Sequence, residues 1–380
     1  MNVKNKYYLY LVFYYLALNI QTVVLWEVFS INLKPFHILT FLFIPITFYA
    51  KMNTKKMVNI IWVFVFFLIV FFNSIIAMTI LSFPFNSLLI NYMFVFLVYI
   101  LGIGFYYHLG EIKVVHALKI ATILIFVIVI IKTSVYWSNI MTYLRNPYAH
   151  PEIVELYGGG PNLEATWLVA NSAFFLRSRY WKVFLGISLI VSAIYASRIG
   201  IVLAIVLIFI RLYHKRQLKQ IILFPIIISF VVAFTYFVNP YSLGRFTEIG
   251  QEIGSISRLV IWKSSLDVFE LAPVTGFGAG NAIREVEKRS RLEFKEDNVH
   301  NYYLQILLDF GLLGLAAWIC IIFWIVKQIM FDKRINVELY AFVMLYFIGG
   351  LVQFRGAEPL FWFVMGLLSG NMIYKDVSKS

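Results

Sequence analysis

Three side chains could do chemistry by type and surroundings: Arg198, Arg258 and His300. Arg198 interrupts the long apolar stretch Val183–Leu212. A guanidinium there offers a planar fork of donors suited to a phosphate; the plainer reading is an arginine snorkelling from a helix end. Arg258 lies near the start of Ser257–Leu266, which reads as a helix with Ser257 as its N-cap. Arg258, Trp262 and Ser265 share one face of it. That face suits an amphipathic helix lying in a membrane interface with Trp262 as anchor, and it equally suits a second phosphate clamp with Arg258 as its cation. His300 has the one side chain whose ordinary pKa lies near neutrality, so it could take a proton from a hydroxyl. A lone histidine before an apolar run otherwise caps a helix.

Other groups bound the chemistry. Pro273–Asn281 is glycine-rich, which lets backbone amides approach an anion, although most such stretches are simply turns. Ala282–Phe294, with Arg284 in it, reads as a charged helix with a solvated face. His37, His108, His116, His150 and His214 have no metal-ligand spacing. There is no Asp-x-Asp pair, and Glu285-Val-Glu287 is embedded in basic residues. A metal-dependent sugar transferase normally carries a carboxylate pair, so no metal or other cofactor is expected. Asp309 falls inside an apolar run, where a carboxylate is functional by default; a hydrogen-bonding role toward another helix is the favoured reading. Gly311 and Gly314 beside it permit close helix packing. Lys132 and Glu164 lie near helix ends and are expected to reach the interface. Cys320, the single cysteine, reads as packing.

The elements that must position these groups are membrane helices. The chain has 380 residues, of which 61% are hydrophobic and 13% charged. Its mean hydropathy is +0.83, so lipid is the solvent for most of it. Apolar runs of spanning length are Tyr7–Leu25, Pro35–Ala50, Val58–Ile80, Leu88–Tyr107, Val115–Tyr136, Leu163–Leu176, Val183–Leu212, Ile221–Val238, Tyr302–Val326, Val337–Val352 and Leu360–Ile373. The net charge of +13 sits mostly in alternate turns. This is the positive-inside pattern of a multi-span protein and not a nucleic-acid footprint. It predicts both termini in the cytoplasm and a large outer loop over residues 239–300. It also splits Val183–Leu212 into a hairpin with Arg198 at its outer tip, because one helix of that length would run about 45 Å against a core of about 30 Å. The expectation is an all-α polytopic membrane protein forming a single transmembrane domain over residues 1–380. It has about 12 transmembrane helices, and its large extracytoplasmic loop contains short helices.

Four segments together carry a resemblance. His300-Asn301 followed by Leu304, Asp309, Gly311 and Gly314 resembles the signature of the O-antigen ligase and polymerase superfamily, with Asp309 where Glu is commoner. Gly159–Ala165, Ser197–Gly200 and Arg258–Gly280 resemble further family segments in the same order. The resemblance covers the C-terminal two-thirds of the chain. It implies an inverting, metal-independent glycosyltransferase of the membrane GT-C type, in the cytoplasmic membrane of a bacterium, acting on undecaprenyl-diphosphate-linked glycans at the outer face. Arg198 and Arg258 would then stabilise the leaving diphosphate, and His300 would serve the acceptor hydroxyl as base. Arg284, Arg355 and Trp262 are further substrate-binding candidates. The leading expectation is a polymerase joining lipid-linked repeat units of a capsule, exopolysaccharide or O-antigen. A polymer ligase of the same superfamily is the alternative, and a flippase for such lipids is the rival from another class. The expected partners are the lipid-linked donor and acceptor, the bilayer, a chain-length regulator and a flippase.

Overall fold

In the bilayer core each backbone N–H and C=O must find its partner within the protein, which restricts an apolar chain to helices. The computed structural model describes residues 3–28, 31–48, 60–145, 155–158, 160–215, 229–230, 232–234, 236–237, 253–290, 298–331, 336–353 and 356–374. These form α1 (Val3–Asn19), a small hairpin of β1 (Trp26–Val28) and β2 (Ile31–Leu33), α2 (Pro35–Phe43), α3 (Pro45–Phe48), α4 (Ile61–Thr79), α5 (Ser87–Val135) and α6 (Trp137–Arg145). There follow α7 (Pro161–Ser172), α8 (Trp181–Ile194), α9 (Arg198–His214), α10 (Ile253–Phe269), α11 (Ala282–Ser290), α12 (Tyr302–Phe331), α13 (Val337–Gly349) and α14 (Pro359–Tyr374).

The chain is thus mostly helical. Among the described residues three helices are long and apolar enough to cross a membrane: Ile61–Thr79, Ser87–Val135 and Tyr302–Gln328. Four shorter apolar helices accompany them: Pro35–Thr47, Trp181–Ile194, Val337–Gly349 and Pro359–Tyr374. The run Ile221–Val238 and the first part of the 239–300 loop lie largely outside the described residues. The antiparallel hairpin, with Trp26 opposite Leu33, is a departure from an all-helical reading. On α4, Leu68, Phe71 and Phe72 are exposed, as are Leu124, Val127 and Ile131 on α5; such surface is stable against lipid.

Helix α5 has 49 residues, but Gly110 breaks it with φ +70°. The contacts of α1 show what happens there. The Tyr7 and His108 rings lie 4.8 Å apart, and the Tyr8 hydroxyl meets His116 Nδ1 at 2.7 Å. Further along α1, Tyr14 lies against Phe105. Tyr15 donates to Asn171 Oδ1 at 2.7 Å, the oxygen that Thr122 also reaches. Ascending α1 therefore moves backward along one half of α5 and forward along the other. The chain reverses at Gly110, between the expected runs Leu88–Tyr107 and Val115–Tyr136. The first half packs closely on α14: a Cβ on Gly102 would stand 2.4 Å from Phe363 O, and one on Gly366 2.1 Å from Tyr99 O. Small residues serve this role wherever two membrane helices touch at their backbones.

The stretch Val183–Leu212 is likewise two helices, α8 and α9. The Arg211 guanidinium sits 4.5 Å above the Trp181 ring, so the end of α9 lies beside the start of α8. Their turn passes through Ala196 at φ +49°.

Helix α12 is bent at Gly311, where φ is +64°. The Tyr302 and Trp318 rings stand only 5.0 Å apart, whereas sixteen residues of straight helix would separate them by about 24 Å. The bend removes the helical bonds that would join Leu308 O to Leu312 N and Asp309 O to Leu313 N. Each freed group finds a partner in the glycine-rich loop. Phe277 N donates to Leu308 O (3.0 Å) and Gly278 N to Asp309 O (2.8 Å), while Leu312 N donates to Pro273 O (2.9 Å) and Leu313 N to Val274 O (3.5 Å). Asn73 of α4 donates to Phe310 O at 2.9 Å. A Cβ on Gly311 would lie 2.1 Å from Val274 O, and one on Gly276 2.5 Å from Asp309 O. Gly311→Ala therefore meets both a forbidden conformation and a backbone clash. It is expected to lower stability in detergent by roughly 2 kcal/mol or more. Gly186→Ala, where a Cβ meets open space, should leave stability unchanged or slightly raised. Thermal unfolding of the two variants beside the parent checks this.

Candidate functional site

The segments that carry Arg198 and His300 lie at helix ends, and polar contacts tie several element ends together there. Leu156 O accepts from Gln21 N and Thr22 N, just past α1, at 2.6 and 3.2 Å. Gln21 Nε2 donates to Glu358 Oε1 before α14 at 2.6 Å. Tyr302 N donates to Gly350 O at the end of α13 (2.8 Å), and Asn86 Nδ2 donates to Gly280 O ahead of α5 (3.0 Å). Beneath this rim Tyr157, Asn19, Asn171 and Tyr15 form a buried network, with the Tyr157 hydroxyl donating to Asn19 Oδ1. Burial holds the Tyr157 phenol well above its ordinary pKa, so it stays a neutral donor.

Arg198 opens α9. Ser197 is the N-cap, accepting from Gly200 N at 3.3 Å, and its hydroxyl donates to Asn162 O in the first turn of α7 at 3.4 Å. A Cβ on Gly200 would stand 2.6 Å from Ser192 Oγ, so the turn is closed tightly. Beside it lies an ion pair that departs from the sequence expectation. Lys132 and Glu164 do not reach the interface; they pair with each other, with side-chain exposures of 8% and 1%.

Arg258 and Trp262 lie on α10, which begins at Ile253. Ser257 therefore falls inside the helix and is not its cap. Arg258 is half-buried, one turn before Trp262. The Trp262 indole is not merely an interfacial anchor, because its Nε1 donates to Val299 O at 2.8 Å and binds α10 to the segment before His300. Trp262, Leu266, Asn301, Tyr303, Leu304, Leu307 and Leu315 line an open groove of about 250 Å³.

His300 sits at φ +54°, a conformation that side chains rarely adopt and that concentrates at functional sites. Its N–H donates to Asn298 Oδ1 at 3.0 Å. The capping group of α12 is Asn301, whose Oδ1 accepts from Leu304 N at 3.0 Å, so the His300 ring is not the cap. The backbone ahead of it is held by Gln305. Its Oε1 accepts from Val299 N (3.0 Å) and its Nε2 donates to Asp309 Oδ1 (3.1 Å). Both side chains are buried, and the Asp309 backbone carbonyl accepts from Gly278 N of the glycine-rich loop at 2.8 Å. Asp309 thus ties the histidine turn to the glycine loop. The loop's amides are engaged with α12 carbonyls and Ser74 Oγ, so packing is their use and anion binding is not.

The structure brings Trp262 and the His300 segment into contact and sets Arg258 on the same helix. Arg198 stands on a separate hairpin; among the described residues α7 and α13 link the two regions, with Trp167 stacked on Phe342 and Tyr346 meeting Tyr302. Arg284 is exposed on α11, where Lys288 pairs with Glu285, and Arg355 lies outside the described residues. Sequence reading missed Gln305. Its only signal was a polar residue one turn before Asp309 on the same face.

These features describe a mostly helical chain with apolar helices of membrane-spanning length, in which Trp262 is bonded to the segment that leads into His300. The comparisons place it further. Residues 182–319 match the family model described as O-Antigen ligase. Three Rickettsia proteins, each named as a "putative polysaccharide ligase", are similar over part of their length. The one from Rickettsia typhi is 24% identical over 174 residues, 42% of either chain. The one from Rickettsia prowazekii is 24% identical over 176 residues, 44% of this chain and 40% of that one. The one from Rickettsia felis is 26% identical over 120 residues, 29% of each. The matched stretch is well under half the length of these relatives. Over part of its length, then, the chain is similar to the O-antigen ligase family and to proteins named as polysaccharide ligases.

Gln305→Leu strands the Val299 N–H and the Asp309 carboxyl in buried surroundings. It is expected to cost roughly 1–3 kcal/mol for each stranded group. Gln305→Leu with Asp309→Leu should recover part of that loss, measured by thermal unfolding in detergent; equal stability of all three proteins would contradict the described role of Gln305.

Proposed function

We propose that this protein is a glycan ligase: a membrane glycosyltransferase that moves a lipid-diphosphate-linked glycan onto an acceptor hydroxyl at the outer face of the cytoplasmic membrane. The observation that carries the reading is that the O-Antigen ligase match over residues 182–319 takes in the Arg198 turn, the Arg258–Trp262 helix and His300 together. The relatives are named as ligases, which favours ligation over the repeat-unit polymerisation that led the sequence reading.

In the proposed reaction the anomeric carbon of the donor sugar loses its bond to the diphosphate oxygen, and the diphosphate leaves with the electron pair. The acceptor oxygen bonds to that carbon from the opposite face, which inverts it. The acceptor proton passes to a ring nitrogen of His300. Arg198 and Arg258 meet the charge that develops on the diphosphate. Their guanidiniums, with no metal, supply the cationic stabilisation in this scheme. Trp262 orients α10 against the His300 segment, and Arg284 and Arg355 belong to the wider substrate surface. The positive-inside pattern of the sequence supports the outer placement and cytoplasmic termini.

The test is a reconstituted assay with a synthetic undecaprenyl-diphosphate oligosaccharide, EDTA, and a panel of acceptors. Transfer to a non-lipid-linked acceptor by the parent protein is expected. His300→Ala should lower it by about 10²- to 10⁴-fold, and Arg198→Ala should also lower it strongly. A ladder of products formed from lipid-linked units alone would replace ligase with polymerase. Movement of intact lipid across vesicles without any transfer would sink both readings in favour of a flippase.

A further inference from the structure

Glu164 is engaged by three different parts of the chain. Its Oε1 accepts from Lys132 Nζ of α5 and from the Tyr195 hydroxyl at 3.3 Å. Its Oε2 accepts from Leu156 N, in the segment ahead of α7, at 2.9 Å. Lys132 Nζ in turn lies 5.8 Å from the centre of the Tyr195 ring. Tyr195 belongs to the turn that ends in Arg198, and two residues further on Ser197 Oγ is fixed to Asn162 O. The turn residues 195–197 are therefore held at two points by the first turn of α7, one of them through the ion pair.

Burying two charges is a poor way to hold helices together. Apolar residues of similar volume commonly do it as well or better, since desolvation offsets most of the attraction. A carboxylate does what an apolar residue cannot. It accepts from several directions at once, and so fixes the angular setting of the groups that donate to it. Here those groups are the backbone of one flanking segment and the side chain that begins the Arg198 turn. The turn is also strained: Ala196 is at φ +49°, and such a conformation persists only where its surroundings determine it.

We propose that Lys132 and Glu164 are positioning residues that set the direction of Arg198 toward a diphosphate. The proposal rests on the ligase reading for the identity of the ligand. The pair touches no substrate in it; it acts through Tyr195 and the Ser197 cap. The ligand class is a polyprenyl diphosphate, and Arg198 is the group that contacts it.

The test uses the full chain in nanodiscs, with undecaprenyl diphosphate itself as probe. Lys132→Met with Glu164→Leu removes both charges together and orphans neither, though Leu156 N and the Tyr195 hydroxyl lose an acceptor; unfolding temperature shows whether the fold survives. The dissociation constant should rise between about 10- and 100-fold, the scale of a small misplacement of a clamp. It should rise no further when the double change is added to Arg198→Ala, because the pair acts only through Arg198. A purely structural role predicts losses that add, and that result, or an unchanged affinity in the folded double variant, would overturn the proposal. Should Lys132→Met/Glu164→Leu not fold, Tyr195→Phe carries the same cycle. A second readout needs no ligand: Arg198→Cys in a Cys320→Ala background, labelled by a membrane-impermeant maleimide. Its labelling rate should change when the ion pair is removed. A changed rate with no diphosphate binding by the parent protein would keep the coupling and discard the ligase reading. An unchanged rate would discard the coupling.

Discussion

Two hydrogen bonds missing from one helix organise this end of the molecule. Where α12 bends at Gly311, the carbonyls of Leu308 and Asp309 and the amides of Leu312 and Leu313 lose their helical partners. In lipid such groups cannot turn to water, and each would cost several kcal/mol if left bare. The loop Pro273–Gly278 supplies all four partners from its own backbone. That exchange requires two backbones in direct contact, so glycine occupies 276 and 311, positions where any Cβ would overlap the opposing chain. The bend, the loop and the glycines form one constraint.

The rest of the site follows from that constraint. The short first arm of α12 carries His300 and Asn301 at its start, and its length is set by the bend. Asp309 lies within the bent turn, and through Gln305 it holds Val299, the residue ahead of the histidine. Trp262 closes the same segment from α10. Arg198 sits on a second tight turn, also locked by a buried carboxylate, Glu164. Both turns pass through a side-chain-bearing residue with positive φ, Ala196 and His300. Each turn is therefore held in a conformation that the chain would not choose alone, next to a group able to act on a phosphate or a hydroxyl.

Much of this was legible in the sequence, because the governing effects are local. Charge at both ends of Val183–Leu212, with too many residues for one crossing, marked a hairpin, and α8 and α9 are that hairpin. The Arg258–Trp262 spacing marked a helix face. The failures share a cause. The glycines of 273–281 read as turns or an anion cradle, and not as a packing surface, because their partners, carbonyls freed by a bend in a later helix, leave no periodic trace. Lys132 and Glu164 each read as a group escaping to the interface, since nothing local announces that residues 32 apart in the chain meet as a pair. Gln305 was hidden for the same reason: its use depends on Val299 and Asp309 lying on either side of it. Long-range pairing of polar groups is set by tertiary geometry, which one sequence does not display.

The most direct measurement addresses the bend itself. Tyr303 and Leu315 line the same groove, although along a straight helix they would lie about 18 Å apart. In a Cys320→Ala background, Tyr303→Cys with Leu315→Cys should be bridged rapidly by a short bifunctional thiol reagent in folded protein, and Gly311→Ala should slow that bridging. A folded protein that resists the reagent at this pair would mean that α12 runs straight past Gly311. The support of His300 by the glycine loop would then be wrong.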